Sequence, residues 1–99
     1  MRIFIQIASY RDPELVKTIK SIIENARNPK NLRFGICRQY HPEDGFDSLE
    51  EYKDDNRFRV IDVLYSESKG VCWARNLTQT LYEGEEYTMQ IDSHMRFEK

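Results

Sequence analysis

Ninety-nine residues, 39% of them apolar, and a formal net charge of −2 describe one domain, residues 1–99, with material for a single core. Fifteen basic side chains stand against 17 acidic ones with neither a basic stripe nor an acidic tail, so generic nucleic-acid binding has no electrostatic support. No apolar run approaches the roughly 20 residues that span a bilayer, and the opening Met1-Arg2-Ile3-Phe4-Ile5-Gln6-Ile7 is too short for a secretory signal and is broken by Gln6.

Residues 3–8 form an apolar run that suits a strand buried on both faces, as in a parallel sheet. Ser9-Tyr10-Arg11 reads as a loop. Asp12-Pro13 then gives a helix start, with Asp12 as N-cap and Pro13 at the first helical position, where a missing N–H costs nothing. Leu15, Ile19, Ile22, Ile23 and Ala26 recur at helical spacing, and Asn28-Pro29 ends the helix. Residues 32–40 are a second strand. Residues 41–56 are acidic and punctuated by Pro42 and Gly45. They read as a solvated loop with a possible helical turn at 48–52, and the ligand spacing of a calcium loop is missing. Residues 58–65, rich in β-branched side chains, are a third strand, and 66–70 a turn. A second helix over 71–82 carries Trp73, Leu77 and Leu81 on one stripe and closes at Gly84. Residues 87–91 are a fourth strand that ends in Asp92. The two cysteines, Cys37 and Cys72, have no metal-type spacing and read as reduced thiols.

Strands alternating with amphipathic helices predict an α/β layered fold with about four mainly parallel strands and helices on the faces. Ligands of such sheets bind beyond the carboxyl ends of the strands. Those ends are residues 9–12, 39–41, 66–70 and 92–94, so the candidate polar groups share one rim. Asp92 and His94 lie two apart at a strand tip, where a carboxylate and an imidazole can share a divalent cation. The competing reading is a carboxylate capping the strand end beside an exposed histidine. Gly70 opens the second helix, where backbone N–H groups and the helix dipole favour an anion. Arg75, one turn in, suits a phosphate or a structural ion pair. His41 in its polar loop reads as solvated, and Trp73 as core.

Three blocks carry a resemblance: Ile5-Gln6-Ile7-Ala8-Ser9-Tyr10-Arg11-Asp12-Pro13, Gly70-Val71-Cys72-Trp73-Ala74-Arg75, and Gln90-Ile91-Asp92-Ser93-His94-Met95-Arg96-Phe97. In this order they resemble the UDP-GlcNAc:polypeptide (hydroxyproline) N-acetylglucosaminyltransferase family, GT-A enzymes related in motif to the mucin-type polypeptide GalNAc-transferases. The resemblance implies a Rossmann-like GT-A N-terminal half and a retaining transfer of GlcNAc from UDP-GlcNAc to a protein hydroxyl with Mn2+ (or Mg2+). It also implies a cytoplasmic setting. It matches Asp92 and His94 to the family's Asp-x-His metal motif and Ser9, Tyr10, Arg11 and Asp12 to the uridine-binding segment. Gln39 falls where a residue faces the base, and Gly70 and Arg75 at the helix start near the nucleotide.

The sequence stops five residues after His94, whereas GT-A enzymes continue with acceptor-binding elements. The expectation is therefore a nucleotide-sugar-binding half, excised or natural, with slight activity alone, no nameable catalytic base or nucleophile, and an open sheet edge at the fourth strand that invites self-association. From another class, the alternative is a non-catalytic α/β module that binds a nucleotide or a protein partner. A receiver-type domain is disfavoured, because no acidic pocket follows strand one and strand three ends in Tyr65-Ser66.

Overall fold

The computed structural model describes residues 2–92. The elements are β1 (Ile3–Tyr10), α1 (Leu15–Asn25), β2 (Leu32–Tyr40), β3 (Phe58–Leu64), α2 (Val71–Gln79) and β4 (Tyr87–Asp92). Short 3-10 turns stand at Pro29–Asn31, Glu50–Tyr52 and Tyr65–Glu67. The strands make one sheet in the order β3-β2-β1-β4, and every adjacent pair is parallel. This is the α/β architecture that the alternation of strands and helices predicts.

Side-chain alternation assigns the two faces. Ile5 and Ile7 of β1, Phe34 and Ile36 of β2 and Ile91 of β4 form one cluster with Leu15, Ile19 and Ile22 of α1. The opposite face carries Phe4, Gln6 and Gly35 under α2. There the Thr78 hydroxyl donates to Gln6 Oε1 at 3.0 Å, which settles the one polar side chain in the middle of β1. A Cβ at Gly35 would stand 2.4 and 2.7 Å from ring atoms of Phe4 and 3.3 Å from the Thr78 carbonyl oxygen. The glycine is what lets ring and helix lie this close to the sheet. For the same reason the buried positions of α2 are the small Ala74 and Thr78. Trp73, Leu77 and Leu81, the stripe expected from spacing, are only half-buried flanks.

Several boundaries differ from those predicted. β1 runs on to Tyr10, because Ser9 and Tyr10 pair in register with Arg38 and Gln39 of β2 instead of forming a loop. α1 begins at Leu15 with Glu14 as N-cap residue. Asp12 acts one turn earlier: its Oδ1 accepts from the Glu14 N–H at 2.8 Å, so Asp12 and Pro13 lie in the turn before the helix. Ala26 is extended (φ −78°, ψ 138°) and ends α1 ahead of Asn28. α2 stops at Gln79, and residues 80–82 close with three-residue hydrogen bonds to Leu77, Thr78 and Gln79.

The acidic stretch after β2 is the expected loop, mostly exposed and with a 3-10 turn at Glu50–Tyr52, but three of its side chains are drawn onto the fold. Asp47 is buried, Leu49 joins the α1-side core, and the Tyr52 ring stacks on Phe58 at 4.3 Å, itself stacked on Phe34 at 4.6 Å. Arg38 Nη1 donates to the Asp47 carbonyl at 3.2 Å and lies 3.6 Å from its carboxylate. The segment is a strap across the sheet, held by one acid and two apolar side chains that carry no periodic signal.

On the α2 face, Arg59 of β3 reaches the α2–β4 connection. Its guanidinium donates to both Glu85 carboxylate oxygens, at 3.2 and 2.9 Å, and to the Leu81 carbonyl at 2.9 Å. The Tyr82 hydroxyl donates to the Glu85 carbonyl at 2.6 Å. With Arg59 so placed, the buried Glu85 carboxyl titrates far below the ordinary range, at about 2. This clasp ties the path into β4 to the far side of the sheet.

Candidate nucleotide site at the strand ends

Each parallel strand delivers its carboxyl end to one rim, and three of those ends meet there. A cleft of about 280 Å³ is lined by Ala8 and Tyr10 of β1, Gln39 of β2, Ser68 and Gly70 of the β3–α2 connection, and Val71 of α2. A second cleft of the same volume lies on the other face, between the strap and β3, lined by Arg38, Leu49, Tyr52 and Val60 among others. Its walls belong to one sheet edge and the strap, whereas the rim cleft collects three strand ends and a helix N-terminus.

Tyr10 is 52% exposed and presents its ring to the cleft mouth. Ser9, one residue earlier on the α1 side, is fully buried, and its hydroxyl oxygen has no hydrogen-bond partner among the described residues. Arg11 follows with φ 44°, a left-handed turn that few side chains adopt. Its N–H donates to the Gln39 carbonyl at 2.8 Å. Its guanidinium donates to Asp44 of the strap at 2.7 and 3.3 Å and lies 5.3 Å from the centroid of the Tyr65 ring. The Arg11 hydrogen bond holds the Asp44 carboxyl below its ordinary value, and Asp44 in turn raises Arg11. Tyr65 meets the His41 ring at 4.6 Å, so His41 packs against an aromatic side chain instead of standing free in solvent.

Gln39 is 3% exposed, and both ends of its amide are engaged within the protein. Nε2 donates to the Ser9 carbonyl at 2.9 Å, and Oε1 accepts from the Ser68 hydroxyl. Gly70 has φ 102°, the left-handed region that favours glycine, and no atom would contest a Cβ there, so conformation, not space, calls for this residue. Arg75 sits half-buried one turn into α2. Cys72 is exposed near the helix start, while Cys37 is buried on β2 with its thiol raised by burial.

Asp92 closes β4, and its backbone pairs in register with Ala8 of the cleft wall. His94 lies outside the described residues. Among the described residues, no three His, Cys, Asp or Glu side chains gather as a metal cluster, and no helix is long and apolar enough to cross a membrane. The rim thus brings together Ser9, Tyr10, Arg11, Gln39 and Gly70, with Asp12 in the adjoining turn and Asp92 in register at its edge. It adds Asp44, Tyr65 and Ser68, which sequence reasoning left in a loop and a turn. Nothing in their spacing marks them, since each is defined by what it touches across the fold.

A sequence model of the glycosyltransferase (GlcNAc) family matches residues 2–57 and 45–99. No curated protein matches the chain. Among solved structures it is similar to S. aureus TarS 1–349 in complex with UDP-GlcNAc, with a TM-score of 0.74 and 17% identity over 95% of this chain and 27% of that one. It is also similar to S. aureus TarS 1–349 (TM-score 0.70, 16% identity, 95% and 28% covered) and to S. aureus TarS (TM-score 0.70, 14% identity, 95% and 17% covered). At these identities the likeness establishes a shared fold. The chain spans between 17% and 28% of the TarS chains it matches.

Proposed function

The chain belongs to the glycosyltransferase (GlcNAc) family, and from that membership we propose that it is the nucleotide-sugar-binding part of a transferase that moves GlcNAc from UDP-GlcNAc to a protein hydroxyl, a hydroxyproline being the acceptor that the resemblance suggests. One observation carries the reading: three strand ends and the α2 N-terminus enclose a single cleft, and Asp92 lies in register at its edge. The fold shared with a TarS structure that holds UDP-GlcNAc supports the same choice of ligand.

In this reading Tyr10, Arg11 and Asp12 hold the uridine. The N-terminus of α2, opened by Gly70, faces the diphosphate with Arg75 one turn behind it, where backbone N–H groups and the helix dipole favour negative charge. Asp92 and His94 are an oxygen and a nitrogen donor suited to Mn2+ or Mg2+. A bound cation there would offset diphosphate charge and stabilise a departing UDP. Among the described residues β4 is the last strand of the sheet, and its outer edge supports self-association of two copies through that edge. Light scattering that returns a monomer at every concentration would refute that association.

Calorimetric titration of UDP and UDP-GlcNAc, with and without Mn2+, tests the site in the wild type and in Asp92→Asn. Metal-dependent binding lost in the variant is expected. Equal binding by the two proteins, with or without metal, would overturn the assignment of Asp92.

A further inference from the structure

Gln39 and Ser68 are joined in one directed chain of hydrogen bonds that runs from the start of α2 to the end of β1. The Gly70 N–H donates to Ser68 Oγ at 3.3 Å, the Ser68 hydroxyl donates to Gln39 Oε1, and Gln39 Nε2 donates to the Ser9 carbonyl at 2.9 Å. Three connections separated by 29 and 30 residues in sequence are thereby tied through one buried amide. The polarity has a single consistent sense. Ser68 can give its only proton to Gln39 because Gly70 supplies the proton it accepts, and Gln39 presents its carbonyl to Ser68 because its NH2 faces another carbonyl. A side chain that is 3% exposed and has both ends engaged makes a poor ligand contact, because reaching a ligand would leave Ser9 and Ser68 unmatched in a buried place.

We propose that Ser68 and Gln39 are positioning residues: their hydrogen-bond chain sets the backbone of Gly70, and with it the N-terminal turn of α2, at the height above β1 that a nucleoside diphosphate needs. Gly70 is the segment most in need of such a hold. Its φ of 102° is one among several that a glycine can take, and no atom lies within 4 Å of where its Cβ would be. Its carbonyl accepts from the Ala74 N–H at 3.1 Å within the helix start, and the N–H bond to Ser68 is what ties it to the sheet. The same Gln39 also accepts the Arg11 N–H at its backbone carbonyl, so the uridine side and the phosphate side of the cleft share one anchor. The positioning role rests on the cleft being a nucleotide site.

Two variants of the full chain test it. Ser68→Ala removes the middle of the chain. Amide hydrogen exchange at Gly70 is expected to accelerate by about threefold or more, as for a lost hydrogen bond, while Phe4 and Ile7 in the core keep their protection. UDP affinity should fall about three- to tenfold. Gln39→Glu distinguishes positioning from general damage through its pH profile. The ionised carboxylate has no proton for the Ser9 carbonyl, whereas the protonated acid donates there and still accepts from Ser68. Its affinity relative to wild type should therefore be reduced near about pH 7.5 and recover toward about pH 5, because burial at this 3% exposed position raises a glutamate above its ordinary value. Unchanged Gly70 exchange, unchanged UDP affinity in Ser68→Ala, or a Gln39→Glu deficit independent of pH would each overturn the proposal while leaving the nucleotide site standing. A wild type that binds no UDP overturns both.

Discussion

Replacing Glu85 by glutamine should uncouple the α2–β4 connection from β3, and its cost can be worked from the clasp. The carboxyl titrates at about 2 against an ordinary 4.5. That difference is worth about 3 kcal/mol, at about 1.4 kcal/mol per unit of pKa. Because the folded-state value is the lower one, the contribution is complete above the unfolded value near 4.5 and is lost as pH falls toward 2. Glutamine keeps the shape and one acceptor oxygen but not the charge, and leaves Arg59 with that oxygen, the Leu81 carbonyl and Glu83 at 3.4 Å. Urea unfolding followed by the fluorescence of Trp73, the only tryptophan, reads the difference. Near pH 7 the variant should be less stable by about 2–3 kcal/mol, and near pH 3 the gap should shrink to about 1 kcal/mol because the carboxyl of the unfolded chain is by then protonated. Equal unfolding midpoints near neutrality, or a gap that does not narrow in acid, would refute the assignment of the clasp to this ion pair.

Gly35→Ala should destabilise the protein by about 1–3 kcal/mol in the same assay, because its Cβ meets the Phe4 ring at 2.4 Å; unchanged stability would mean that Phe4 and α2 move aside freely. Asp47 titrates above its ordinary value because burial outweighs the pull of Arg38. With the folded value raised, the penalty is absent in acid, grows as pH rises from the unfolded value toward the shifted one, and is complete above it. Asp47→Asn should therefore be more stable than wild type near neutrality and equal to it below about pH 3; a variant that is less stable at neutral pH contradicts this. Thiol titration with an aromatic disulfide should count one fast cysteine in the native protein, the exposed Cys72, and a second, Cys37, only in denaturant. Two fast thiols would place Cys37 outside the core.

The layered fold was legible because β1 is a nearly unbroken apolar run, β3 is rich in β-branched residues and α1 carries an apolar stripe. β1 is the best case, as the run from Ile3 to Ala8 marks a strand covered on both faces and that is where it lies. The shared rim was legible too, since parallel crossovers send every strand end the same way. What could not be read is local competition settled by distant partners. Ser9 and Tyr10 have loop-like company in sequence, and pairing with Arg38 and Gln39 makes them strand. The Trp73 stripe looked like the core face until Gly35 and Phe4 demanded small residues there. Asp44, Asp47 and Ser68 had no pattern at all, because a single ion pair or hydrogen bond to a residue on another element decides their place.

The position of β1 between β2 and β4 has a consequence for how the chain comes to be folded. Ile3 pairs with Leu32 on one side and with Tyr87 on the other, the latter across 84 residues (87 minus 3). Of these four strands the one made first is thus among the last to acquire both neighbours. Until β4 emerges, one edge of β1, the most apolar of the four described strands, lacks its partner in this sheet, and a loop of more than 70 residues between Tyr10 and Tyr87 must close to supply it. Folding should therefore proceed through an early β1–α1–β2 unit with β4 joining late. Translation speed and chaperone capture while the stretch from β2 to β4 is made would then govern yield more than the stability of the finished sheet does.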